Sequence, residues 1–253
     1  MVLKRFLKRA PDPAASPHAI PAGERVYAVG DIHGRRDLLD MLLAQIEADD
    51  AARVPARTTL VFLGDLVDRG ADSSGVVQRL LDLSRSGRSA RFLMGNHEET
   101  FVKAARGDAG ALRYLVRYGG RETVLSYGIG TAAYNAADFD ELAAMLAARV
   151  PGAHIDFIEA FEDQVAIGDY LFVHAGVRPG TPIAEQKASD LRWIRSEFLD
   201  YRGSHGPMVV HGHTITDEVD EQPNRIGIDT GAFASDRLTA IGLEGTSRWY
   251  LAT

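Results

Sequence analysis

The chain contains no cysteine, and this absence excludes several kinds of chemistry. Disulfides and thiolate metal sites cannot form, and neither can the covalent cysteine intermediate of some phosphate-transferring enzymes. Because nothing in the sequence requires an oxidising compartment, we expect a cytoplasmic protein. The sequence also lacks an apolar stretch long enough to span a membrane, so we expect no transmembrane segment.

Basic charge is also scarce. The 28 lysines and arginines are outnumbered by 35 aspartates and glutamates, which leaves a formal net charge of -7. A nucleic-acid-binding protein needs a basic surface, so we expect no nucleic-acid partner. An acidic protein can still bind phosphate where metal ions and arginines create a local positive site. With 253 residues, of which 45% are hydrophobic, the chain suffices for one large α/β domain or two small ones.

The N-terminus differs from the rest of the chain. Residues 1–9 have a basic amphipathic spacing, and the prolines after them favour a stiff, non-helical linker. We interpret residues 1–22 as a flexible, basic and proline-rich tail, because so short a helix is only marginally stable alone. A weak contact with a membrane or a partner is the alternative. The folded domain is then predicted over residues 23–253.

Five polar clusters, each directly after a short apolar run, are the most informative feature of the sequence. Such runs are typical of buried strands, and ligands collect at the carboxyl ends of such strands. The clusters supply Asp, His and Asn, which are metal-ligand residues. They occupy residues 30–34, 64–70, 95–98, 174–176 and 211–214. This arrangement indicates a metal-dependent enzyme.

The pattern between the clusters predicts the fold. In the first hundred residues, strands alternate with helices near 36–47 and 76–83, which predicts a parallel sheet with right-handed crossovers. Residues from about 99 to 161 are mostly helical in pattern, and we predict a helical insertion that caps the site. The later strands have a hairpin-like spacing that predicts antiparallel additions and a second sheet. They are expected near residues 164–167, 170–173, 208–210, 225–228 and 238–243.

The first cluster has one carboxylate and one imidazole two residues apart, at Asp31 and His33. In a strand-like segment two such residues point to the same side, and together they make half of a divalent-metal site. The alternative is an Asp that caps the following helix beside a surface His. This cluster alone does not separate the two interpretations.

The second cluster is denser, with Asp65, Asp68 and Arg69 after a strongly apolar strand. Buried charges need partners, so two carboxylates and a cation at this position indicate a site. Because a carboxylate has two oxygens, Asp65 could bridge two metals. The alternative, a surface ion pair of Asp68 and Arg69 at a helix start, agrees less well with the preceding strand.

The third cluster supplies Asn96 as a neutral oxygen ligand and His97 as a candidate acid or base. Asn96 could instead be a helix N-cap. Glu98 and Glu99 suit the first turn of a helix, where carboxylates interact favourably with the helix dipole, so we predict a structural role for both.

The candidates are more informative together than singly. A single strand-end histidine is more often structural than a ligand, and His211 shares a face with His213, so either or both could reach the site. The combined set has hard oxygens, imidazoles and no sulfur, which suits Mn²⁺, Fe or Zn²⁺ better than Ca²⁺. Two metals about 3.5–4 Å apart form a known clamp for phosphoryl transfer. The candidate metal ligands are Asp31, His33, Asp65, Asn96, His174 and His213.

These motifs resemble the signatures of the phosphoprotein phosphatases, the metal-dependent serine/threonine phosphatases among the calcineurin-like metallophosphoesterases. Residues 30–34, 64–70 and 95–98 match three signatures in order, and residues 174–176 and 212–214 match two later ones. The similarity runs from about residue 25 to near the C-terminus and is greatest to the compact bacterial and phage branch. It implies an α/β fold in which a two-sheet β-sandwich is flanked by helices and carries the helical cap insertion.

The resemblance also implies metal ligands, position by position. One residue after the last motif, Ile215 replaces the second histidine of the wider metallophosphoesterase pattern, which favours the protein-phosphatase branch over nucleases and phosphodiesterases. The implied ligands are Asp31, His33 and Asp65 for a first metal, and Asp65, Asn96, His174 and His213 for a second.

Further roles follow from the same resemblance. Arg69 is similar to one phosphate-clamping arginine, and the segment 191–195 is similar to the one that carries the other, which identifies Arg195. Asn96 would contact the phosphate as well as a metal. His97, oriented by Asp68, resembles the general acid. No family role is carried over to His211.

The sequence therefore predicts a phosphomonoester hydrolase that uses two divalent metals, with Mn²⁺ expected and Fe or Zn as alternatives. We expect first a serine/threonine protein phosphatase in which a metal-bridging hydroxide attacks phosphorus in line. A hydrolase of dinucleoside polyphosphates or another small phosphorylated metabolite is the nearer alternative, and a non-catalytic binding module is the remote one. The partner is thus a phosphoprotein or a small phosphorylated substrate, and the oligomeric state stays open.

Overall fold

The computed structural model describes residues 18–253. The amphipathic segment predicted at residues 1–9, and the tail as far as residue 17, lie outside the described residues. The described range contains ten strands, eleven α-helices and one 3-10 helix, Ile183–Glu185. The strands are β1 (Glu24–Val29), β2 (Arg57–Phe62), β3 (Ala90–Phe92), β4 (Gln164–Ile167), β5 (Tyr170–Val173), β6 (Met208–His211), β7 (Asp220–Gln222), β8 (Arg225–Gly227), β9 (Thr239–Glu244) and β10 (Ser247–Ala252).

The helices are concentrated between β1 and β4. They are α1 (Arg36–Ala51), α2 (Ser73–Arg85), α3 (Asn96–Ala105), α4 (Ala109–Arg117), α5 (Gly120–Ser126), α6 (Thr131–Ala136), α7 (Phe139–Arg149), α8 (Gly152–Glu159), α9 (Ala188–Trp193), α10 (Ser196–Leu199) and α11 (Ala232–Ser235).

The strands form two mixed sheets of five strands each. The first has the order β10-β9-β1-β2-β3, in which β1, β2 and β3 are parallel and β9 and β10 are antiparallel additions. The second has the order β4-β5-β6-β8-β7, with β5, β6 and β8 parallel and an antiparallel strand at each edge. The predicted parallel unit, the antiparallel additions and the second sheet are all confirmed.

The sheets pack face to face, and the residues of β1 show how the layers arise. Side chains alternate across a strand, so each strand can bury two faces. Val26 and Ala28 face the second sheet and share a core with Phe172 and Val210, whereas Tyr27 and Val29 belong to the cluster beneath the helices. Apolar residues on both faces therefore specify a helix–sheet–sheet–helix sandwich, as predicted.

The helical layers complete two further cores. On the first sheet, Leu42 of α1 and Leu80 of α2 are fully buried. On the second sheet, α9 and α10 contribute Leu191 and Phe198, which pack against Val209 of β6. These layers shield both faces of the parallel strands from water, which such strands require because they are apolar on both sides.

The segment between β3 and β4 contains the six helices α3 to α8, over nearly the range predicted for a helical insertion. Its buried residues continue the core beneath the first sheet, among them Phe101 of α3, Leu112 of α4 and Leu146 of α7. The loop before α5 also contacts the second polar cluster directly, because the backbone amide of Arg69 donates to the carbonyl of Gly119 at 2.8 Å. The insertion is thus packed against the loop that carries Asp68 and Arg69.

Two edge strands, β7 and β10, were not predicted. β7 consists only of Asp220, Glu221 and Gln222, and the residues of β10 are exposed or half-buried. Edge strands are held by backbone hydrogen bonds along one side and need no continuous apolar face. The polar sequence of β7 therefore lacks the hydrophobic alternation on which strand prediction rests. β10 has this alternation, because Trp249 and Leu251 pack against the core of the first sheet, and it was overlooked.

Residues 18–22, which were assigned to the tail, are attached to the domain. The amide of Ile20 donates to the carbonyl of Gly245 at 2.8 Å, and the amide of Asp169 donates to the carbonyl of Ala19 at 3.0 Å. Ile20 is buried in the core between the sheets. The isolated position of one isoleucine among prolines obscured this contact.

No helix within the described range 18–253 is both long and apolar enough to cross a bilayer.

Candidate active site

The polar clusters meet where the parallel strands of both sheets end. β1 and β2 end immediately before the first and second clusters, and β5 and β6 end at the last two. Because the carboxyl ends of neighbouring parallel strands lie at one edge, their loops converge there. The structure thereby brings together eight predicted side chains, all of them buried. They are Asp31, His33, Asp65, Asp68, Asn96, His97, His174 and His213.

The backbone is strained at the same place. Among residues 18–253, six non-glycine residues have a positive φ, a conformation that residues with a Cβ rarely adopt. Five of the six are site residues, which indicates that the surrounding structure holds the loops in a costly geometry. These five are His33, Asp65, Asp68, Arg69 and His213, with φ between 46° and 74°.

Two glycines permit the loops to approach so closely. A Cβ at Gly212 would lie 1.9 Å from Oδ1 of Asp31, and a Cβ at Gly64 would lie 2.7 Å from the amide nitrogen of Gly95. Gly64 also has φ of +99°. Any side chain at these two positions would push the clusters apart.

One group of donors surrounds the first cluster. Ligand atoms of His33, Asp65 and His97 lie within 4.8 Å of one another, and Nε2 of His33 is 3.6 Å from Oδ2 of Asp65. Nδ1 of His33 donates to the carbonyl of Val67 at 2.7 Å, which directs Nε2 into the site. Asp31 is buried nearby, and its Oδ2 accepts from the amide of His213 at 3.0 Å.

The second group consists of Asp65, His174 and His213, whose ligand atoms also lie within 4.8 Å of one another. Nδ1 of His174 donates to the carbonyl of Leu63 at 2.8 Å, so its Nε2 carries a lone pair. This Nε2 lies 3.0 Å from Oδ1 of Asn96, 3.2 Å from Nδ1 of His213 and 3.4 Å from Oδ1 of Asp65.

Both groups fit divalent cations. Nε2 of His174 faces the acceptor oxygens of Asn96 and Asp65, and a cation would satisfy all three. Oδ1 of Asp31 and Nε2 of His213 are buried without a hydrogen-bond partner, which is costly unless another group binds them. Backbone carbonyls orient His33 and His174, as is usual for metal-ligating imidazoles. The donors are oxygens and imidazoles, and Asp65 is common to both groups, so it could be shared by two ions.

Burial and the close spacing of carboxylates shift the pKa values of the site residues. Burial is the largest cause that raises the pKa of Asp31, and the charges of Asp229 and Asp65 add to it. Burial likewise lowers the pKa of His213 to about 2 and that of His33 to about 3. Both imidazoles are therefore neutral at neutral pH and have a lone pair free for a cation.

Asp68 and His97 form a buried hydrogen-bonded pair. Nδ1 of His97 donates to Oδ2 of Asp68 at 2.6 Å. Burial disfavours the imidazolium, but the charge of Asp65 and the bond to Asp68 outweigh it and raise the pKa of His97 to about 9. The ring therefore holds a proton at neutral pH and can donate it.

The insertion orients this pair through Thr123 of α5. The hydroxyl of Thr123 donates to Oδ1 of Asp68 at 2.7 Å and accepts from the amide of Asp68 at 2.8 Å. Ser73 lies 2.8 Å from the same hydroxyl. Thr123 is fully buried, and no motif of the sequence pointed to it, because it lies more than fifty residues from Asp68.

The two predicted phosphate arginines differ in position. Arg69 is half-buried between the imidazoles, with Nη1 2.8 Å from Nε2 of His33 and Nη2 3.2 Å from Nε2 of His97. Arg195 is exposed, with Nη1 3.4 Å from Oγ1 of Thr214, the residue after His213. The guanidinium of Arg69 thus lies within the first donor group, and that of Arg195 lies beside the residue that follows His213.

A neighbouring arginine is excluded from this role. Arg192 pairs with Asp163 at 2.7 Å and with Glu99 at 3.5 Å. The charge of Arg195, in contrast, acts on the imidazole of His213. Of the two arginines in segment 191–195, Arg195 is therefore the one that faces the site.

His211 does not join either donor group. Its Nδ1 donates to the carbonyl of Gly212 at 3.0 Å, and its Nε2 lies 3.5 Å from Nη1 of Arg225. The ring packs edge-on against Phe198 with centroids 5.0 Å apart. Of the two histidines predicted to share a face, only His213 reaches the site.

Glu98 has a structural role that is more specific than a helix-dipole interaction. Its carboxylate is fully buried and accepts from the amides of Asp65, Leu66 and Val67 at 2.7, 2.7 and 3.2 Å. It also accepts from the amide of Gly95 at 3.1 Å. Glu98 therefore ties the second cluster to the third.

Asp229 is a buried carboxylic acid that the sequence analysis missed. It follows β8, its Oδ1 accepts from the amide of Gly231 at 2.9 Å, and its Oδ2 has no hydrogen-bond partner. Burial is the main cause that raises its pKa to about 6, and the charge of Asp65 contributes. The signal was available, because residues 225–228 are predicted as a strand and this aspartate follows them directly, as in the other clusters.

A two-sheet sandwich with buried Asp and His at converging strand ends is the architecture of metallophosphoesterases. The family model of the calcineurin-like phosphoesterases matches residues 24–236 of this chain. The chain therefore belongs to the calcineurin-like phosphoesterase family.

Two kinds of bis(5'-nucleosyl)-tetraphosphatase are among the relatives. The symmetrical bis(5'-nucleosyl)-tetraphosphatase of Acidovorax sp. (strain JS42) is 33% identical over 178 residues, which are 70% of this chain and 49% of the relative. The chain thus spans about half the length of this relative. The asymmetrical bis(5'-nucleosyl)-tetraphosphatase of Anoxybacillus flavithermus is 25% identical over 237 residues, which are 84% of this chain and 88% of the relative.

Solved structures agree on the fold. A crystal structure of a proposed diadenosine tetraphosphatase aligns with a TM-score of 0.63 at 23% identity, over 94% of this chain and 98% of that one. A serine/threonine phosphatase from Saccharomyces cerevisiae aligns with a TM-score of 0.50 at 16% identity, over 91% of this chain and 79% of the other. At these identities the alignments carry the fold alone.

Proposed function

We propose that this protein is a phosphohydrolase that uses two divalent metals and cleaves dinucleoside polyphosphates. The observation that carries the chemistry is the pair of donor groups that share Asp65, next to the Asp68–His97 pair and two arginines. The observation that favours this substrate class is that both symmetrical and asymmetrical nucleosyl-tetraphosphatases are among its relatives. The proposal reverses the order of the sequence-based expectation, which ranked protein phosphatase first.

We assign the metal ligands from the two donor groups and from the neighbouring Asp31 and Asn96, and we assign His97 to proton donation instead of metal binding. Asp31, His33 and Asp65 would hold one ion, and Asp65, Asn96, His174 and His213 would hold the other. When bound, two such ions would activate a water molecule and neutralise charge on the phosphate. Mn²⁺ is the proposed metal, because carboxylate and imidazole ligands without sulfur suit it.

The remaining site residues act on the phosphate and on the leaving group. Arg69 and Arg195 would bind the oxygens that gain negative charge, with the amide of Asn96 as a further contact. His97 would donate the proton on Nε2 to the leaving oxygen, since its Nδ1 is held by Asp68. The chain carries every residue that this assignment requires, which supports an enzyme over a non-catalytic binding module.

A substrate panel tests the proposed function. We expect kcat/KM for a dinucleoside tetraphosphate to exceed that for a phosphopeptide by about tenfold or more, which a few specific contacts can produce. Mn²⁺ should support the reaction, and EDTA should abolish it. A phosphopeptide cleaved faster than the nucleotide would reinstate the protein-phosphatase hypothesis. The products separate the two modes of cleavage, because symmetrical cleavage yields only nucleoside diphosphates.

Replacement of Thr123 by valine tests how the insertion acts on the proton donor. Thr123→Val removes both hydrogen bonds to Asp68 at nearly constant volume. We expect kcat on an alkyl phosphate to fall about tenfold, which is less than the full rate acceleration that a general acid contributes. An activated aryl phosphate needs less protonation and should lose less. Thr123→Ser keeps the hydroxyl and should restore the wild-type ratio, whereas equal losses on both substrates would assign Thr123 a purely structural role.

A further inference from the structure

Three exposed aromatic side chains lie together beside the site. Tyr114 and Tyr118 are 41% and 43% exposed at the end of α4, and Trp193 is 36% exposed at the end of α9. Among residues 18–253, only Tyr250 is a further aromatic residue of comparable exposure. The rings of Tyr114 and Tyr118 have centroids 4.6 Å apart, and those of Tyr114 and Trp193 are 6.1 Å apart. We call these three residues the aromatic patch.

The patch is held in position by polar contacts at its rim. Nε1 of Trp193 donates to Oε2 of Glu99 at 3.1 Å. The other oxygen of Glu99 accepts from Lys103 at 2.9 Å. Two different elements, α4 and α9, therefore present their rings to solvent with one ring fixed by a hydrogen bond. A preorganised surface of this kind loses little entropy when a ligand binds.

The patch adjoins the proposed catalytic site. Tyr114 and Tyr118 line a small cavity together with Asn96 and His97. On its other side, Tyr114 lines an open cleft of about 370 Å³ with Trp193 and Lys103, a volume within the usual range of small-ligand sites. A molecule held at the donor groups could thus extend past Tyr114 into this cleft.

Positive charge accompanies the aromatic rings. Lys103 lines the cleft opposite one carboxylate, that of Asp108, and the guanidinium of Arg117 lies 5.6 Å from the centroid of the Tyr118 ring. The positive charge of Arg195 lies close enough to act on the pKa of both Tyr114 and His213. Aromatic faces next to cationic side chains complement a ligand that combines a flat ring with phosphates.

We propose that the aromatic patch binds a nucleobase of the substrate by stacking while the attached phosphates reach the donor groups. This inference rests on the proposed function and adds a subsite for the nucleoside. Stacking accepts any base, because every base has a π-face. The patch thus determines that the substrate is a nucleotide and leaves the identity of the base open.

Alanine substitutions measure the contribution of the patch. We expect Tyr114→Ala and Tyr118→Ala to raise KM for diadenosine tetraphosphate about 5- to 150-fold, the range for loss of one stacked base. The value of kcat should change little, because stacking is equal in the ground and transition states. Tyr250→Ala is the matched control at an exposed tyrosine outside the patch and should leave KM unchanged. An unchanged KM in both patch variants would overturn the proposal.

Two small ligands separate the contribution of the base to binding from that of the phosphate. Adenosine monophosphate and ribose 5-phosphate differ only in the base, so the patch should make the first the stronger competitive inhibitor. Tyr118→Leu, which is less disruptive than alanine, should bring the two inhibition constants together. If the patch variants weaken the binding of both ligands equally, the aromatic patch does not bind the base and the proposal fails.

Tryptophan fluorescence gives a readout that does not depend on turnover. The chain has two tryptophans, and Trp249→Phe leaves Trp193 as the sole one. With EDTA present, adenosine monophosphate should quench this variant and ribose 5-phosphate should not. Absence of quenching, together with normal cleavage of dinucleoside tetraphosphates, would refute the patch and leave the proposed function intact. Quenching without any cleavage would refute the proposed function and retain a nucleotide-binding patch.

Discussion

Asp65→Asn is expected to lower metal affinity and activity by about 100-fold or more, beyond the 10- to 100-fold typical of residues that only support a ligand. Asp65 belongs to both donor groups, with one oxygen 3.6 Å from Nε2 of His33 and the other 3.4 Å from Nε2 of His174. Asparagine keeps the shape and one acceptor oxygen, but it removes the charge that two cations would share. Elemental analysis of dialysed protein should find fewer than two metals per chain.

Thermal unfolding offers an independent measure of the same substitution. At Mn²⁺ concentrations 100 times the dissociation constant, binding to the native state adds about 2.7 kcal/mol to the free energy of unfolding. We expect this gain for the wild type and a much smaller one for Asp65→Asn.

Asp229→Asn is the charge control, because it removes a buried carboxylate that is not among the proposed ligands and that acts on Asp31 through its charge. If it loses as much metal as Asp65→Asn, then general charge and not ligation by Asp65 holds the ions. Full metal occupancy in Asp65→Asn would remove the bridging role outright.

His97→Ala is expected to retain metal and to lower kcat on alkyl phosphates by about 10²- to 10⁴-fold, the usual worth of a general acid. The pKa of His97 is raised to about 9 and its Nδ1 is bound to Asp68, so the ring supplies a proton from Nε2. An activated aryl phosphate has a better leaving group and should lose far less. Dinucleoside tetraphosphates release a phosphate oxygen and should also lose less than alkyl esters.

A buried histidine outside the donor groups provides the control for this substitution. His211→Asn should leave the ratio of alkyl to aryl turnover unchanged, because His211 faces Arg225 and Phe198. Equal losses on both esters in His97→Ala would rule out the acid role. Loss of metal in that variant would make His97 a ligand instead, which its position within 4.8 Å of His33 and Asp65 allows.

The local patterns in the sequence predicted the sandwich well because its central strands are apolar on both faces. The runs before Asp31 and Asp65 are strands β1 and β2, and parallel pairing puts their ends at one edge. The strand β7 was missed because backbone pairing, and not an apolar face, holds it at the sheet edge. The strand β10 was overlooked, although Trp249 and Leu251 give it an apolar face towards the core.

The members of the site were predictable to the extent that they follow strands. Asp229 also follows a predicted strand and was overlooked. His211 has the spacing of a ligand, but its ring packs against Arg225 and Phe198 instead of facing the site. Thr123 could not have been found, since its bond to Asp68 spans 55 residues and depends on how α5 packs. Contacts of this kind leave no local periodicity in the sequence.

The sequence by itself determined the fold class, the family motifs and the residue types of a two-metal site, because strand periodicity and strand-end composition are local properties. Only the tertiary structure decided which histidines converge, that Glu98 ties two clusters together and that Thr123 supports the proton donor. It also placed Tyr114 and Trp193 side by side from elements far apart in the chain. These features arise from packing between distant segments, which the order of residues does not display.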